Sequence, residues 1–246
     1  MKEFGYTLTE AIITVGIVGI IAALTVPNLA TAYNKKTYTS SLASAINNFE
    51  SAMTTMISRE GVDNLFETEA WQAIKGSSTY SLNLNTTPTK IKNFMKKISN
   101  VLPLEKYEVS NWIINKLNTG TTTNTSVVRF KTKNGLIYAI GVNQSVGQTP
   151  KNELIFVNAG YYYTNKAGDV YIDVNGDKLP NRLGRDIFIF ELADNGKLYA
   201  FGSKEQQYYS GKQESSFVEA KTKCKTNLDG TYCAAYLIEN SYNMDY

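Results

Sequence analysis

The most strongly patterned part of the chain is an apolar segment close to its N-terminus. From Ala11 to Val26 no residue is charged, and extending the segment to Tyr6 and Ala32 adds only one charged side chain, Glu10. Because an α-helix rises about 1.5 Å per residue, roughly 20 residues span the hydrocarbon core of a bilayer. A buried helix of a soluble domain is the alternative, but such a helix normally keeps a polar stripe, and this segment is apolar all round. The pattern therefore predicts a membrane-spanning helix.

A second pattern follows, in which apolar residues return on one side of a helix only. They recur at spacings of four and three residues, at Leu42, Ile46, Phe49, Met53 and Met56. This spacing places them on one helix face, and we expect the helix to continue to about Ser58. Pro27 should kink or loosen this helix, because proline removes a backbone donor and clashes with the preceding turn. The helix thus divides into an apolar half, residues 6–32, and an amphipathic half, residues 33–60.

The rest of the chain, residues 61–246, is predicted to form a globular head whose first part is mixed. A short helix is predicted at Glu67–Ile74, and Pro88 is suited to start another one. The segment Thr119–Thr125 consists of Thr, Asn and Gly only, and such low complexity predicts an exposed loop.

From Val127 onward the apolar period changes to that of β-strands. Five strands are predicted, at Val127–Lys133, Leu136–Val142, Asp169–Val174, Asp186–Leu192 and Lys197–Phe201. Asn134-Gly135 and the turn around Gly196 would close two hairpins. Antiparallel strands that follow one long amphipathic helix predict an α+β fold, in which the helix stripe covers one face of the sheet.

Glu10 is the anomaly of the apolar segment. A carboxylate in or near lipid costs on the order of several kcal/mol unless it finds a cation, and such residues are usually functional. The leader, residues 1–5, lacks the basic region of a secretory signal, because Lys2 is offset by Glu3. Cleavage between Gly5 and Tyr6 would create a new amine about one helical turn from Glu10, and this amine would be the missing partner.

The stretch from Gly5 to Glu10, the apolar helix behind it and Pro27 resemble a class III leader of the type IV pilin and type II secretion pseudopilin superfamily. The resemblance implies that prepilin peptidase cleaves after Gly5 and N-methylates Tyr6, where most members have Phe. It implies that Glu10 pairs with the new amine of a neighbouring subunit during filament assembly. It also implies a pilin-like fold, with the long helix packed on an antiparallel sheet.

Composition limits the alternatives. The chain has 246 residues, a formal net charge of +3 and no histidine. A charge this small does not favour nucleic acid as a partner. The absence of histidine excludes His-based catalytic triads and His-ligated zinc. The 17 tyrosines suit an exported surface protein better than a cytosolic enzyme.

The two cysteines, Cys224 and Cys233, lie on either side of the turn sequence Asp229-Gly230. Such a turn would bring the sulfurs close enough for a bond, and in an exported chain we expect a disulfide. Two free buried thiols are the alternative. The segment from Cys233 to Tyr246 resembles the disulfide-bounded C-terminal region of pilins, and it would either pack against the sheet or be exposed for filament contacts.

Oxygen-bearing side chains are concentrated at Asp173, Asn175, Asp177 and Asp186. Their alternation would present oxygens to one side of a tight loop, as in sites for calcium. The loop is not an EF-hand, because it lacks the required Gly and the bidentate Glu. Some members of the pseudopilin family bind calcium in a loop between strands. The alternative is that these residues only form turns.

The sequence therefore favours a structural role over catalysis, with no cofactor required and calcium as the candidate cation. The first hypothesis is a subunit of a type IV pilus or pseudopilus, held in the inner membrane by one span and then assembled with identical or related subunits into a surface filament. Prepilin peptidase and an inner-membrane assembly platform are the implied partners. The alternative is a signal-anchored exported enzyme that uses the carboxylates of loop 173–186, or a membrane-tethered module that binds DNA or a surface ligand. The basic face Lys90, Lys92, Lys96 and Lys97 is the support for the binding module, but a solvated helix face explains it better.

Overall fold

The computed structural model describes residues 7–74, 88–115, 122–141, 166–209, 215, 217–226 and 230–246. Two compact units are distinguished along the chain, Met1–Thr37 and Tyr38–Tyr246. Helix α1 spans Leu8–Glu60 and is unbroken at Pro27. Its most apolar window of 18 residues has a mean hydropathy of 2.2, and none of this window is buried. By length and composition, α1 is therefore able to cross a membrane.

Within the second unit, α1 buries the apolar stripe that the sequence predicts. Its buried members are Leu42, Ala45, Ile46, Phe49, Ala52, Met53 and Met56. The helix ends at Glu60 because Gly61 adopts a φ of 64°, which favours glycine. The N–H of Val62 then donates to the carbonyl of Ile57 at 3.3 Å, which satisfies one of the last helical acceptors.

The remaining helical segments are short: a 3₁₀ turn at Leu65–Glu67, α2 at Glu69–Ile74, α3 at Pro88–Ile98, α4 at Lys204–Tyr209, α5 at Ala220–Thr226 and α6 at Cys233–Glu239. The predictions of α2 and α3 are confirmed. Trp71 of α2 and Phe94 of α3 are buried, and their rings meet edge to face with centroids 5.2 Å apart. The sequence does not predict helices α4 to α6, because 6 or 7 residues are too few to give a helical period.

Six strands form one sheet: β1 at Leu104–Asn115, β2 at Thr122–Thr132, β3 at Ile137–Gly141, β4 at Lys166–Asp173, β5 at Ile187–Ala193 and β6 at Leu198–Ala200. They lie in the order of the sequence, and every neighbouring pair is antiparallel. The predicted α+β class is thereby confirmed, with one long N-terminal helix and an antiparallel sheet.

Aromatic residues join α1 to the sheet. Tyr138 of β3 lies 5.3 Å from Phe49 of α1 and 5.5 Å from Phe130 of β2, measured between ring centroids. The Tyr138 hydroxyl donates to the carbonyl of Ala45 at 3.0 Å, so this buried polar atom is satisfied. Burial raises the pKa of the Tyr138 phenol well above its usual value.

The opposite face of the sheet is also buried at its centre. Ala139 of β3 and Ile187 and Ile189 of β5 form a second apolar cluster there, together with Leu183. Leu183 belongs to the connection between β4 and β5, which folds back and forms a bridge to Ile187. This connection carries the carboxylates that the sequence singles out.

One part of the strand prediction is wrong. The sequence predicts a loop at Thr119–Thr125, but residues from Thr122 onward belong to β2 and pair with β1, a strand that the sequence does not predict. Threonine is β-branched and favours a pleated strand, and a long partner strand outweighs the low complexity of the sequence. β1 gives no clear signal because it lies at the edge of the sheet, where Glu105, Lys106 and Glu108 are exposed.

Candidate functional site

The N-terminal end of α1 holds its carboxylate in a specific geometry. The predicted cleavage residues Gly5 and Tyr6 lie outside the described residues, whose first member is Thr7. The Thr7 N–H and its hydroxyl donate to Oε2 of Glu10 at 2.9 and 2.8 Å. The Glu10 N–H donates in return to the Thr7 hydroxyl at 3.2 Å. Together these bonds form a capping box, in which two free backbone donors of a helix terminus are satisfied reciprocally.

Other polar side chains of the apolar half of α1 bond to the helix itself. The hydroxyl of Thr14 donates to the carbonyls of Glu10 and Ala11, both at 2.9 Å. Around Pro27, Asn28 donates to a carbonyl one turn earlier at 3.1 Å, and the Thr31 hydroxyl donates to the Pro27 carbonyl at 2.9 Å. A helix that crosses a membrane must satisfy its polar groups internally, and the polar side chains at these positions of α1 are satisfied by the helix itself.

The carboxylates of the β4–β5 connection lie side by side at the end of the sheet. Asp173 is the last residue of β4, Asp186 immediately precedes β5, and both are completely buried. Oδ1 of Asp173 accepts the N–H groups of Asn175 at 3.1 Å and Gly176 at 3.0 Å. This is the geometry of an Asx turn, and it explains how Asp and Gly fold the chain locally.

Asp186 is bound by the far end of the same loop. Its Oδ1 accepts the N–H of Arg182 at 2.6 Å, and its Oδ2 accepts the N–H of Asn181 at 2.9 Å. The side-chain amide of Asn175 donates to the same Oδ2 at 2.8 Å. Asn175 therefore links both carboxylates, since its N–H bonds to Asp173.

Burial dominates the protonation of this pair. It raises the pKa of Asp173 to about 8, and the nearby charge of Asp186 adds to the increase. Burial also raises the pKa of Asp186, although the hydrogen bonds from Arg182 and Asn181 oppose this increase. A desolvated carboxylate next to a second carboxylate is costly, and a cation between them would lower the cost.

Asp177, the fourth predicted ligand, has a different environment. Its carboxylate pairs with Arg129 of β2 at 2.8 Å and lies 3.6 Å from the Lys131 amine. The hydrogen bond from Arg129 lowers the pKa of Asp177. The structure thus brings Asp173, Asn175 and Asp186 together and places Asp177 against the cations of β2.

Three oxygens in the loop accept no hydrogen bond although they are buried: Oδ2 of Asp173, Oδ1 of Asn175 and Oδ1 of Asn181. Oxygens of this kind are the ligands that calcium takes. The sequence does not single out Asn181, because an Asn after proline is typical of any turn. The described residues contain no group of three or more His, Cys, Asp or Glu side chains arranged to hold a metal ion. A cation site here would consequently depend on amide and backbone oxygens as well.

The C-terminal segment packs directly against this loop. Cys224 and Cys233 form a disulfide bond, as predicted. A Cβ on Gly184 would lie 2.7 Å from the Gly230 Cα and 3.1 Å from the Cys233 Cβ, so only glycine fits. The hydroxyl of the last residue, Tyr246, donates to the Gly184 carbonyl at 2.8 Å. Of the two predicted arrangements for the tail, packing is the one observed for most of α6, because Cys233–Leu237 is buried.

The remaining predicted surface is the basic face of α3. Lys92 and Lys96 are exposed, whereas Lys97 is partly buried and forms an ion pair with Glu69 of α2. The side chain of Lys90 lies outside those that the structure describes. The hydrogen bond from Lys97 to Glu69 raises the pKa of Lys97, and the Glu69 carboxylate compensates the charge of this one lysine.

Two cavities flank α1 in the second unit. One has a volume of ≈ 360 Å³ and is lined by Ala52, Leu102 and Thr132, among others. The other, of ≈ 510 Å³, is lined by residues such as Glu50 and Arg59. Neither cavity is lined by Asp173 or Asp186. A deep cleft with one of these carboxylates at its base would have favoured the exported enzyme.

Comparison with protein-family models, with curated proteins and with solved structures finds no match to this chain.

Proposed function

We propose that the chain is a structural subunit of a type IV pilus or of a type II secretion-type pseudopilus. Prepilin peptidase would cleave it after Gly5 and methylate the new N-terminus at Tyr6. The mature subunit would remain anchored in the inner membrane until an assembly platform incorporates it into a filament of identical or related subunits. The observation that carries this proposal is the N-terminal part of α1, which is exposed and apolar on all sides and begins with a capped carboxylate, Glu10.

The exposure of apolar side chains supports the proposal that lipid or other subunits surround this part of α1. Large apolar residues between Leu8 and Leu29 are between 53% and 79% exposed, although a soluble protein would bury most of them. Lipid would cover them before assembly, and the same helices of other subunits would cover them in a filament. Head-to-tail packing of identical subunits is a heterologous contact that does not close, and such contacts generate fibres.

The role of Glu10 follows from its charge. A buried carboxylate is tolerated only with a partner, and the amine of Tyr6 in a neighbouring subunit would provide one. Glu10 would thereby set the axial register of the filament. Only a register that brings amine and carboxylate together avoids an unpaired charge in an apolar environment.

The test is the mass of the chain isolated from membranes and from sheared filaments, combined with the Glu10→Ala variant. We expect the chain to begin at Tyr6 with one added methyl group. Glu10→Ala should insert and be cleaved normally but form few or no filaments. A chain that begins at Met1 or after Ala23 would contradict the proposal, as would a normal filament yield from Glu10→Ala.

We further propose that the β4–β5 connection binds a hard divalent cation such as calcium. Asp173, Asn175, Asn181 and Asp186 would hold it. Three of them supply buried oxygens that accept no hydrogen bond, and two carboxylates supply charge. When bound, the cation would neutralise the pair and fix the loop between β4 and β5. Asp177 is left out of this set because Arg129 already pairs with it.

The alternatives are less well supported. An exported enzyme would have to present Asp173 and Asp186 to a substrate, but both are buried and accept hydrogen bonds from their own loop. A module that binds DNA or another anion through α3 would have one of its four lysine charges compensated, because Lys97 is paired with Glu69. We therefore propose a role in assembly without catalysis.

A further inference from the structure

One aromatic and two basic side chains follow the apolar half of α1. Tyr33, Lys35 and Lys36, which we call the collar, come just after Leu29, the last large aliphatic residue that is exposed in that half. Tyr33 is 70% exposed, Lys36 is exposed and Lys35 is partly exposed. The next aromatic residue, Tyr38, already packs against the apolar core of the second unit. Along the chain, the collar therefore separates the exposed apolar segment from the residues that pack in that core.

The length of α1 predicts where the collar lies if the helix crosses a bilayer. From Leu8 to Leu29 the helix is about 32 Å long, which matches a hydrocarbon core of about 30 Å. The collar begins about 6 Å further along, at the depth of the lipid headgroups. Helical side chains lean toward the N-terminus of their helix, so both lysines lean back toward the bilayer with their apolar stems along it. Tyrosine is enriched at this same depth in membrane proteins.

The collar also supplies all the charge of a long stretch of α1. Between Glu10 and Glu50 the chain contains two lysines, Lys35 and Lys36, and no carboxylate. Lysines of a soluble helix are commonly balanced by acids one turn away, but α1 has no acid within one turn of either lysine. A layer of anionic lipid phosphates would provide the opposite charge at the predicted depth.

We propose that Lys35 and Lys36 bind the phosphate groups of anionic phospholipids, in the leaflet on the side where the chain continues into residues 38–246. The inference rests on the proposed membrane span and is independent of filament assembly. It adds a lipid partner and a reason for the depth at which the subunit is held. On leaving the membrane, the subunit would have to release these lipids.

The experiment measures which lipids surround the full chain in a bilayer. The chain is reconstituted in phosphatidylcholine vesicles that contain a trace of nitroxide-labelled phosphatidylglycerol or nitroxide-labelled phosphatidylcholine. Electron spin resonance gives the fraction of labelled lipid that the protein immobilises, and the ratio of the two fractions gives the lipid preference. We expect a preference for phosphatidylglycerol of about fivefold or more, since each lysine near an anionic headgroup contributes about fivefold. The preference should fall as salt is added.

Substitutions assign this preference to the collar. Lys35→Gln with Lys36→Gln should reduce it to less than about twofold, whereas Lys35→Arg with Lys36→Arg should retain it, because arginine keeps the charge. Lys92→Gln with Lys96→Gln is the matched control. It removes the same charge from two exposed lysines of α3 and should leave the lipid preference unchanged.

The outcomes separate this inference from the rest of the proposed function. A preference that survives Lys35→Gln with Lys36→Gln would overturn it, and so would an equal loss in the α3 control, because total charge would then attract the lipid. If the collar variant changed self-association of the chain but not lipid preference, the lysines would contact a second copy and the lipid assignment would be wrong. None of these results alters the N-terminal mass or filament yield, which test assembly. Release of the chain from vesicles by alkaline carbonate would refute the membrane span and both proposals with it.

Discussion

Replacing Asp173 by asparagine should remove a large part of the pH dependence of stability in the second unit. The carboxyl group of Asp173 is completely buried, and its pKa is raised to about 8 from a usual value of 3.8. Between pH 3.8 and about pH 8, the folded chain therefore keeps a proton on Asp173 that the unfolded chain has lost. The free energy of unfolding consequently falls as the pH rises through this interval and levels off above it.

The magnitude follows from proton linkage. One proton held only by the folded state changes the free energy of unfolding by about 1.4 kcal/mol per pH unit. Between pH 5 and pH 7 this group alone should lower the stability of the wild-type chain by up to about 3 kcal/mol. The amide side chain in the variant Asp173→Asn would keep the oxygen that accepts from Asn175 and Gly176, and it cannot titrate.

The assay is urea unfolding of the full chain in detergent micelles with a chelator present, followed by tryptophan fluorescence at each unit of pH from 5 to 9. Asp177→Asn is the control. The Asp177 carboxyl group is half-exposed, and its pKa lies below the usual value of 3.8. Its contribution to the free energy of unfolding is therefore lost only as the pH falls below this value, outside the range of the assay. If Asp173→Asn and wild type lose the same free energy between pH 5 and pH 7, the proposed protonation of the buried pair is wrong.

Two further predictions concern the same region. Calcium should raise the melting temperature of the wild-type chain more at pH 8 than at pH 5, because deprotonated carboxylates bind the cation better. It should have little effect on the melting temperature of Asp186→Asn. Equal shifts of wild type and Asp186→Asn in scanning calorimetry would exclude the proposed cation site. Replacing both cysteines, Cys224→Ser with Cys233→Ser, should cost roughly 2–3 kcal/mol in urea unfolding, as expected for a short disulfide loop. It should also speed tryptic cleavage at Arg182 and Arg185, since the disulfide segment packs on Gly184 between them; unchanged cleavage would contradict that coupling.

The elements that could be predicted are those with a repeated physical pattern. The apolar stripe of α1 could be predicted because packing on one face forces a helical period, and each of its five predicted residues is buried. The hairpins could be predicted because Asn-Gly sequences suit tight turns, and Gly135 and Gly196 both have positive φ values. The disulfide could be predicted because a turn sequence lies between the two cysteines.

Features that depend on tertiary contacts could not be predicted. β1 is an edge strand with charged residues on its exposed side, so its sequence lacks the usual alternation. Nothing local indicates that Arg129, distant in sequence, would turn Asp177 away from the other carboxylates. The capping box of Thr7 and Glu10 is different, because the spacing Thr-x-x-Glu is itself a recognised signal for a helix start. The charge of Glu10 drew attention away from that ordinary role.

The two unusual carboxylates of this chain share one electrostatic arrangement. Oε2 of Glu10 and Oδ1 of Asp173 each accept two hydrogen bonds from residues close in sequence, while the second oxygen of each accepts none among the described residues. Donors of this kind orient a carboxyl group but do not neutralise its charge when it is ionised. Each group should therefore be completed by a cation from outside its own segment. For Glu10 the proposed cation is the amine of another subunit, and for Asp173 it is a divalent metal ion. Assembly and metal binding would then depend on the same physical requirement, imposed in one case by lipid and in the other by the protein core.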